Sequence, residues 1–463
     1  MEFKLPPIEV PEDDPFCHDS LNRKQSVESL SNLIQAVGGP FVFAVDSPWG
    51  TGKTTFLKML NVVVAQQGTR CLSFNAWDTD FAADPMLAFI GEIERSLVGD
   101  KEVSSKVAKY LGRAKKIATL IARRAVPAAG KLLTSGILDI DAIAESIISE
   151  FVADTMGDAV EAYAKEKKLN EDFVEQMAAV VERMGSKDET AKLVLFVDEL
   201  DRCRPTYAIA LLERIKHLFS IPGMTFVLAV DKRQLNTSLA AVYGEGIDSE
   251  EYLRRFIDLE FQLPPPDSKR FAADVFRRFG FNEFFDNRKH PELQYESDTL
   301  VDVFVELSEL FGLSLRAREQ CFTRIRVAML TTEPNRNFFP IMVVVLVILR
   351  AGAPDVFRAF ANRSDARVVL DHIRGLTQGE NWLNTHPGAV TEANLIAVSS
   401  GRRRNVDDLI DYKRIADDEK RPSEERDRAR TVVNVVEQMR TRDKVPGLSY
   451  LLSKLELPWR IDR

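Results

Sequence analysis

Four short apolar runs stand out in the first 266 residues: Phe41 to Val45, Cys71 to Phe74, Leu193 to Val197, and Met224 to Val230. They are β-prone, and the third shows no polar alternation, as expected of a central parallel strand buried on both faces. A further strand is expected after Arg254 and Arg255, which lie on a helix in the stretch EEYLRRFIDLEFQLPPPD. Elsewhere the spacing is helical. Leu21, Val27, Leu30, Leu33 and Ile34 form one stripe, with Asp19 or Ser20 as its cap, and Phe56, Leu57, Met59 and Leu60 begin another. Residues 100 to 188 read as helix throughout, far more than one or two strand–helix units need. The pattern from Ser268 onward is also helical, with Ser314 capping one segment. Phe338 to Leu349 is apolar but short and contains Pro340, so it reads as a buried element rather than a membrane span.

The expected divisions are a leader (1–18), a nucleotide-binding core in two parts (19–100 and 189–266), and a helical insertion (101–188) between them. A helical lid domain (267–400) and a charged helical segment (401–463) follow, with the main boundary at Pro264 to Pro266. Leu448 to Trp459 is apolar again and is expected to dock on the body or a partner. The fold class is therefore α/β, a parallel sheet with a helical insertion followed by a mostly α-helical C-terminal domain.

Composition changes this picture little. Hydrophobic residues make up 45% and charged residues 29%, ordinary for a soluble protein. A net charge of −8 argues against a surface built wholly for nucleic acid. Local basic patches remain, at Lys106 to Lys131 and Arg402 to Arg404; a solvated helix face is the plainer reading of the first. Cys17, Cys71, Cys203 and Cys321 are scattered without a C-x-x-C pair, so no zinc site or disulfide scaffold is implied, which fits a reducing cytoplasm.

The chemistry concentrates in Ser47 to Thr55, SPWGTGKTT, between a strand and a helix. Strand, tight loop and helix is the context of a phosphate-binding loop. Gly50 and Gly52 let backbone N–H groups face phosphate oxygens, and Trp49, Thr51 and Thr55 complete the loop's binding set. Lys53 reaches the β- and γ-phosphates, while Thr54 places a hydroxyl on Mg²⁺. Ser47 stands where the usual motif has its first glycine. The strand Leu193 to Val197 ends on Asp198, the expected metal holder, and Glu199, the expected activator of attacking water. Asp231, at the end of the next strand, is a candidate γ-phosphate sensor. Arg316 is a candidate arginine offered from a helical lid. No [NT]-K-x-D signature follows a strand, which favours ATP over GTP.

Taken together, PWGTGKTT, FNAWDTD, FVDELDRCRP, FVLAVDKRQL and YLRRF before LPPP resemble the KAP family of P-loop NTPases over about residues 19 to 266, with a looser match at Ser314 to Arg316. The resemblance implies an additional-strand P-loop ATPase whose insertion, too charged to span a bilayer, marks a soluble member. It assigns Lys53 and Thr54 to phosphate and Mg²⁺, Asp198 to the metal and Glu199 to the water. Asp201 and Arg202 match the strand-end signature, with Arg202 acting in its own site or across an interface. It further implies ATP hydrolysis driving assembly or switching of a bacterial antiphage complex, through self-association and a separately encoded effector. The alternatives are a nucleic-acid-stimulated motor, from the D-E-x-D at Asp198 to Asp201, and an ATP-binding scaffold with little turnover.

Overall fold

The computed structural model describes residues 5–82, 84–97, 101–125, 159–184, 192–218, 220–288, 296–333, 336–400, 409–442 and 444–455. The chain forms two compact units. One comprises residues 8–19 and 23–265, the other 1–7, 20–22 and 266–463.

The first unit is built on five parallel strands: β1 (Phe41–Asp46), β2 (Arg70–Asn75), β3 (Leu193–Asp198), β4 (Met224–Val230) and β5 (Leu259–Gln262). Their order in the sheet is β2-β3-β4-β1-β5. β4 thus lies between the strand that enters the phosphate loop and the strand that ends on Asp198. Because side chains alternate across a strand, each strand feeds two cores. Phe43 and Val45 pack on one face with α1 (Lys24–Ala36) and α2 (Lys53–Gln66), through Val27, Leu30, Phe56 and Leu60. Val42 and Ala44 face the other core, which also holds Phe89 and Ile93 of α3 (Pro85–Ser96).

The inserted segment joins that second core. Val107, Leu111, Ala114 and Ala118 of α4 (Lys101–Ala125) pack with Phe173, Met177 and Val180 of the helix Ala159–Met184. Lys115 pairs with Glu94 at 2.7 Å, so this lysine serves the unit's own fold. Residues 126–131 of the basic stretch lie outside the described residues.

Two local expectations are corrected. α1 begins at Lys24, not after Asp19, because the Asp19 carboxylate reaches forward to accept the N–H groups of Arg23 (2.7 Å) and Lys24 (3.0 Å). Arg254 and Arg255 lie just beyond the short helix Ser249–Leu253 rather than on it.

The other unit is helical. Its core gathers Phe276, Phe304 and Phe322 with the helix Pro340–Gly352, whose residues Met342 to Leu349 are all buried. Ser314 caps the helix Leu315–Leu330 by accepting the Ala317 N–H at 3.3 Å. The dense charges after residue 400 conceal a helical stripe. In Ser423–Thr441, Ala429, Val432 and Val436 are buried, so this segment contributes core as well as solvated surface. Beside the stripe, Arg428 binds fully buried Glu392 through Nε (2.7 Å) and Nη2 (3.0 Å), and Tyr412 donates to the same carboxylate at 2.8 Å. The arginines 402–404 lie outside the described residues, and the apolar tail is described as helix over Leu448–Leu455. Among the described residues no helix is long and apolar enough to cross a membrane.

Candidate nucleotide-binding site

β1 delivers the chain into the loop, and α2 starts at Lys53 with its positive end at the same point. The left-handed conformations in the loop fall on Gly50 (φ 75°) and Gly52 (φ 90°), where a side chain would be strained, and not on Ser47. A serine therefore costs the loop nothing in backbone conformation. Its N–H donates to Val230 O (3.0 Å), and its hydroxyl donates to Thr51 Oγ1 (2.7 Å), which donates in turn to Pro48 O (2.8 Å). The serine pins the loop to β4 and braces its turn.

Lys53 is 8% exposed and donates to Ser47 O. Its ammonium also lies 3.4 Å from Asp201 Oδ2. That one oxygen accepts the Trp49 indole N–H at 2.8 Å and the Asp231 backbone N–H at 2.7 Å. Asp201 thus gathers the loop's tryptophan, its lysine and the end of β4. Its buried charge is met by a cation and two dipoles, the condition under which a carboxylate is tolerated inside a protein. Asp231, a candidate sensor, is 3% exposed and caps the following helix by accepting the Arg233 N–H at 3.2 Å. Its other oxygen accepts the Trp49 backbone N–H at 3.2 Å.

The acidic end of β3 lies in the adjoining register. Asp198 Oδ1 accepts the Glu199 N–H at 2.8 Å, and Asp198 O accepts the N–H of Ala76 at 2.9 Å. Glu199 adopts a left-handed backbone (φ 60°, ψ 23°), uncommon outside glycine and asparagine. Such strain clusters at sites where the surroundings hold it. Its carboxylate is bound by Arg202 through Nη1 and is approached by Asn75 Nδ2 at 3.5 Å. Asn75 ends β2, paired opposite Asp198, and its Oδ1 caps the turn by accepting the Trp77 and Asp78 N–H groups at 3.0 and 3.3 Å. The Arg202 guanidinium also lies 5.9 Å from the Trp77 ring, and that indole is 54% exposed.

The structure thus brings Trp49, Gly50, Thr51, Gly52 and Lys53 together with Asp201 and Asp231, and places Asp198, Glu199 and Arg202 on the neighbouring strand end. Thr54 and Thr55 occupy the first turn of α2, Thr54 exposed and Thr55 half-buried. Arg316 sits on the first turn of Leu315–Leu330 in the helical unit. Asn75, Trp77 and Asp78 are expected from the sequence at the active-site edge of the sheet, but the contact of Asn75 with Glu199 and the central place of Asp201 are not. Asp201 was visible only as part of the DELDR signature.

A parallel sheet carrying a glycine loop into a helix at one strand end, and two acids at the end of another, with an extra strand between them, defines a P-loop NTPase domain. The KAP family P-loop domain model matches residues 23–298, more than half of the chain, and the protein belongs to that family. No curated protein matches the sequence. Among solved structures, the Aeropyrum pernix ORC2 protein (ADPNP-ADP complexes) is similar at 12% identity, covering 91% of this chain and 95% of that one, with a TM-score of 0.35. A score that low carries no argument.

Proposed function

We propose that this protein binds and hydrolyses ATP with Mg²⁺, and that the cycle drives assembly or switching of a larger complex. The observation that supports it is the buried Lys53, offered by a glycine loop at a helix N-terminus beside the Asp198–Glu199 strand end. The donors suit a small hard cation: the Thr54 hydroxyl and the Asp198 carboxylate are oxygen ligands of the kind Mg²⁺ takes, with the remainder from phosphate and water. When bound, the ion would neutralise charge on the transferring phosphoryl group. Lys53 and the loop N–H groups bind and orient the triphosphate, and Asp198 with Thr54 would hold the ion. Glu199 takes the proton of the attacking water once its carboxylate is turned to the reacting phosphorus. Arg202 and Asn75 set that orientation.

The family resemblance supports a cytoplasmic role in a bacterial antiphage complex, with self-association and a separately encoded effector. Steady-state ATP hydrolysis over a protein concentration series, with sizing of the same samples and Lys53→Ala and Glu199→Gln alongside, tests the proposal. Turnover that needs Lys53 and Glu199 and rises with a larger species supports it. Turnover unchanged in Glu199→Gln removes the catalytic assignment, and stimulation only by added nucleic acid favours a motor instead.

A further inference from the structure

Arg23 is among the largest fully buried side chains, 1% exposed, and its Nε and Nη2 have no hydrogen-bond partner among the described residues. Asp19, four residues earlier and 5% exposed, has a buried Oδ1 in the same condition. A buried polar group left unmet is costly, so two such neighbours call for an explanation. The groups are otherwise firmly placed. Arg23 Nη1 donates to Pro264 O, and Asp19 Oδ2 holds the Arg23 and Lys24 N–H groups.

Their position in the sheet supplies a reason. Pro264 follows Leu263, whose N–H donates to Asp46 O at the entrance to the phosphate loop. The far end of α1 lies beside the far end of α2, through Ser31 to Gln67 and Gln35 to Thr69, so the N-termini of both helices share one edge of the sheet. Along that edge the acids Asp198 and Glu199 lie on the β3 side of β1, while Arg23 and Asp19 lie on the β5 side. A nucleotide whose terminal phosphate points towards the acids extends its base the other way.

We infer that Arg23 and Asp19 form the base-recognition subsite, and that the pair selects a 6-aminopurine. This rests on the nucleotide-binding reading of the loop. Adenine presents an amino donor flanked by ring-nitrogen acceptors, matching one carboxylate oxygen and the unmet guanidinium N–H groups. A 6-oxopurine sets its carbonyl oxygen against Asp19 Oδ1, acceptor against acceptor. Both side chains are sealed from solvent in this structure, so base entry requires a local opening; equilibrium affinity compares the end states whatever the route.

The test is calorimetric titration of the full chain with ATP, ITP and purine riboside triphosphate, which lacks the 6-amino group. Wild type is expected to prefer ATP over both by about 10–100-fold. Asp19→Asn keeps an oxygen for the two backbone N–H groups and turns an amide donor to the base, so its preference shifts towards ITP. Wild type that binds all three equally, or Asp19→Asn with the wild-type ratio of ATP to ITP, overturns the inference. The wild-type comparison decides even where the variant fails to fold. Lys53→Ala that binds ATP as wild type does would overturn the phosphate-loop reading instead, leaving the two failures distinct.

Discussion

Lys53 of the phosphate loop is paired with Asp201, not with the strand-end Asp198: ammonium and carboxylate are 3.4 Å apart with side chains 9% and 2% exposed. The carboxylate that braces the loop also competes with a phosphate for the same ammonium. Asp201→Asn keeps an acceptor near Trp49 Nε1 and the Asp231 N–H while removing the negative charge. It is expected to raise triphosphate affinity severalfold and to lower stability by about 1–3 kcal/mol. Calorimetric titration and urea melting measure both. A fall in affinity would instead place Asp201 among the groups that hold the metal or phosphates.

Glu199→Gln retains size and the Asn75 contact but cannot accept a proton. Turnover should drop about 10²–10⁴-fold with ATP affinity held, read by single-turnover hydrolysis beside equilibrium binding.

Arg202 binds Glu199 of its own chain. Arg202→Ala should therefore change turnover by the same factor in dilute and concentrated protein. A defect that deepens as the protein associates would show the arginine reaching a neighbouring subunit.

The loop serine gives a milder result. Ser47→Gly removes the hydroxyl bridge to Thr51 and loosens the unfolded chain, costing about 1 kcal/mol by thermal melting. Nucleotide binding should survive, because positive φ falls on Gly50 and Gly52. A Ser47→Gly protein more stable than wild type would show that the bridge is not stabilising.

In the helical unit, Glu392→Ala removes the bidentate partner of Arg428, whose side chain is 10% exposed and whose Nη1 still donates to Glu380 (2.7 Å) and Asn384 (3.0 Å). With Glu380 still beside the guanidinium, the loss is that of the charged hydrogen bonds, about 1.5–3 kcal/mol, below the cost of a fully orphaned buried charge, and denaturant melting measures it. Leaving Arg428 in place and replacing Tyr412 with Phe should cost far less, since the bidentate pair remains.

Much of this architecture was legible because its signals are local. β4 was readable from Met224 to Val230 as an apolar run between turn residues, and the phosphate loop as glycines between a strand and a helix. What escaped depends on strand order. Asn75 reaches Glu199 only because β2 pairs with β3, and Asp201 receives the Asp231 N–H only because β4 follows β3 in the sheet. No hydrophobic period encodes such neighbours. The helical segment after residue 400 was expected, but not its buried stripe: in Ser423–Thr441 the acids and arginines outnumber buried Ala429, Val432 and Val436, so composition masked it. The shift of α1 from Asp19 to Lys24 came from a carboxylate that reaches past its usual capping distance.

One feature of the chain's path bears on how it is made. Leu5 is buried in the helical core and Leu21 packs against it, although the rest of that unit begins at Pro266. On the ribosome these leucines emerge before the entire sheet and its insertion, and they wait through that synthesis for the helices that will cover them. The sheet unit can close as it leaves the exit tunnel; the helical unit cannot complete its core until the helix Leu448–Leu455 has been made.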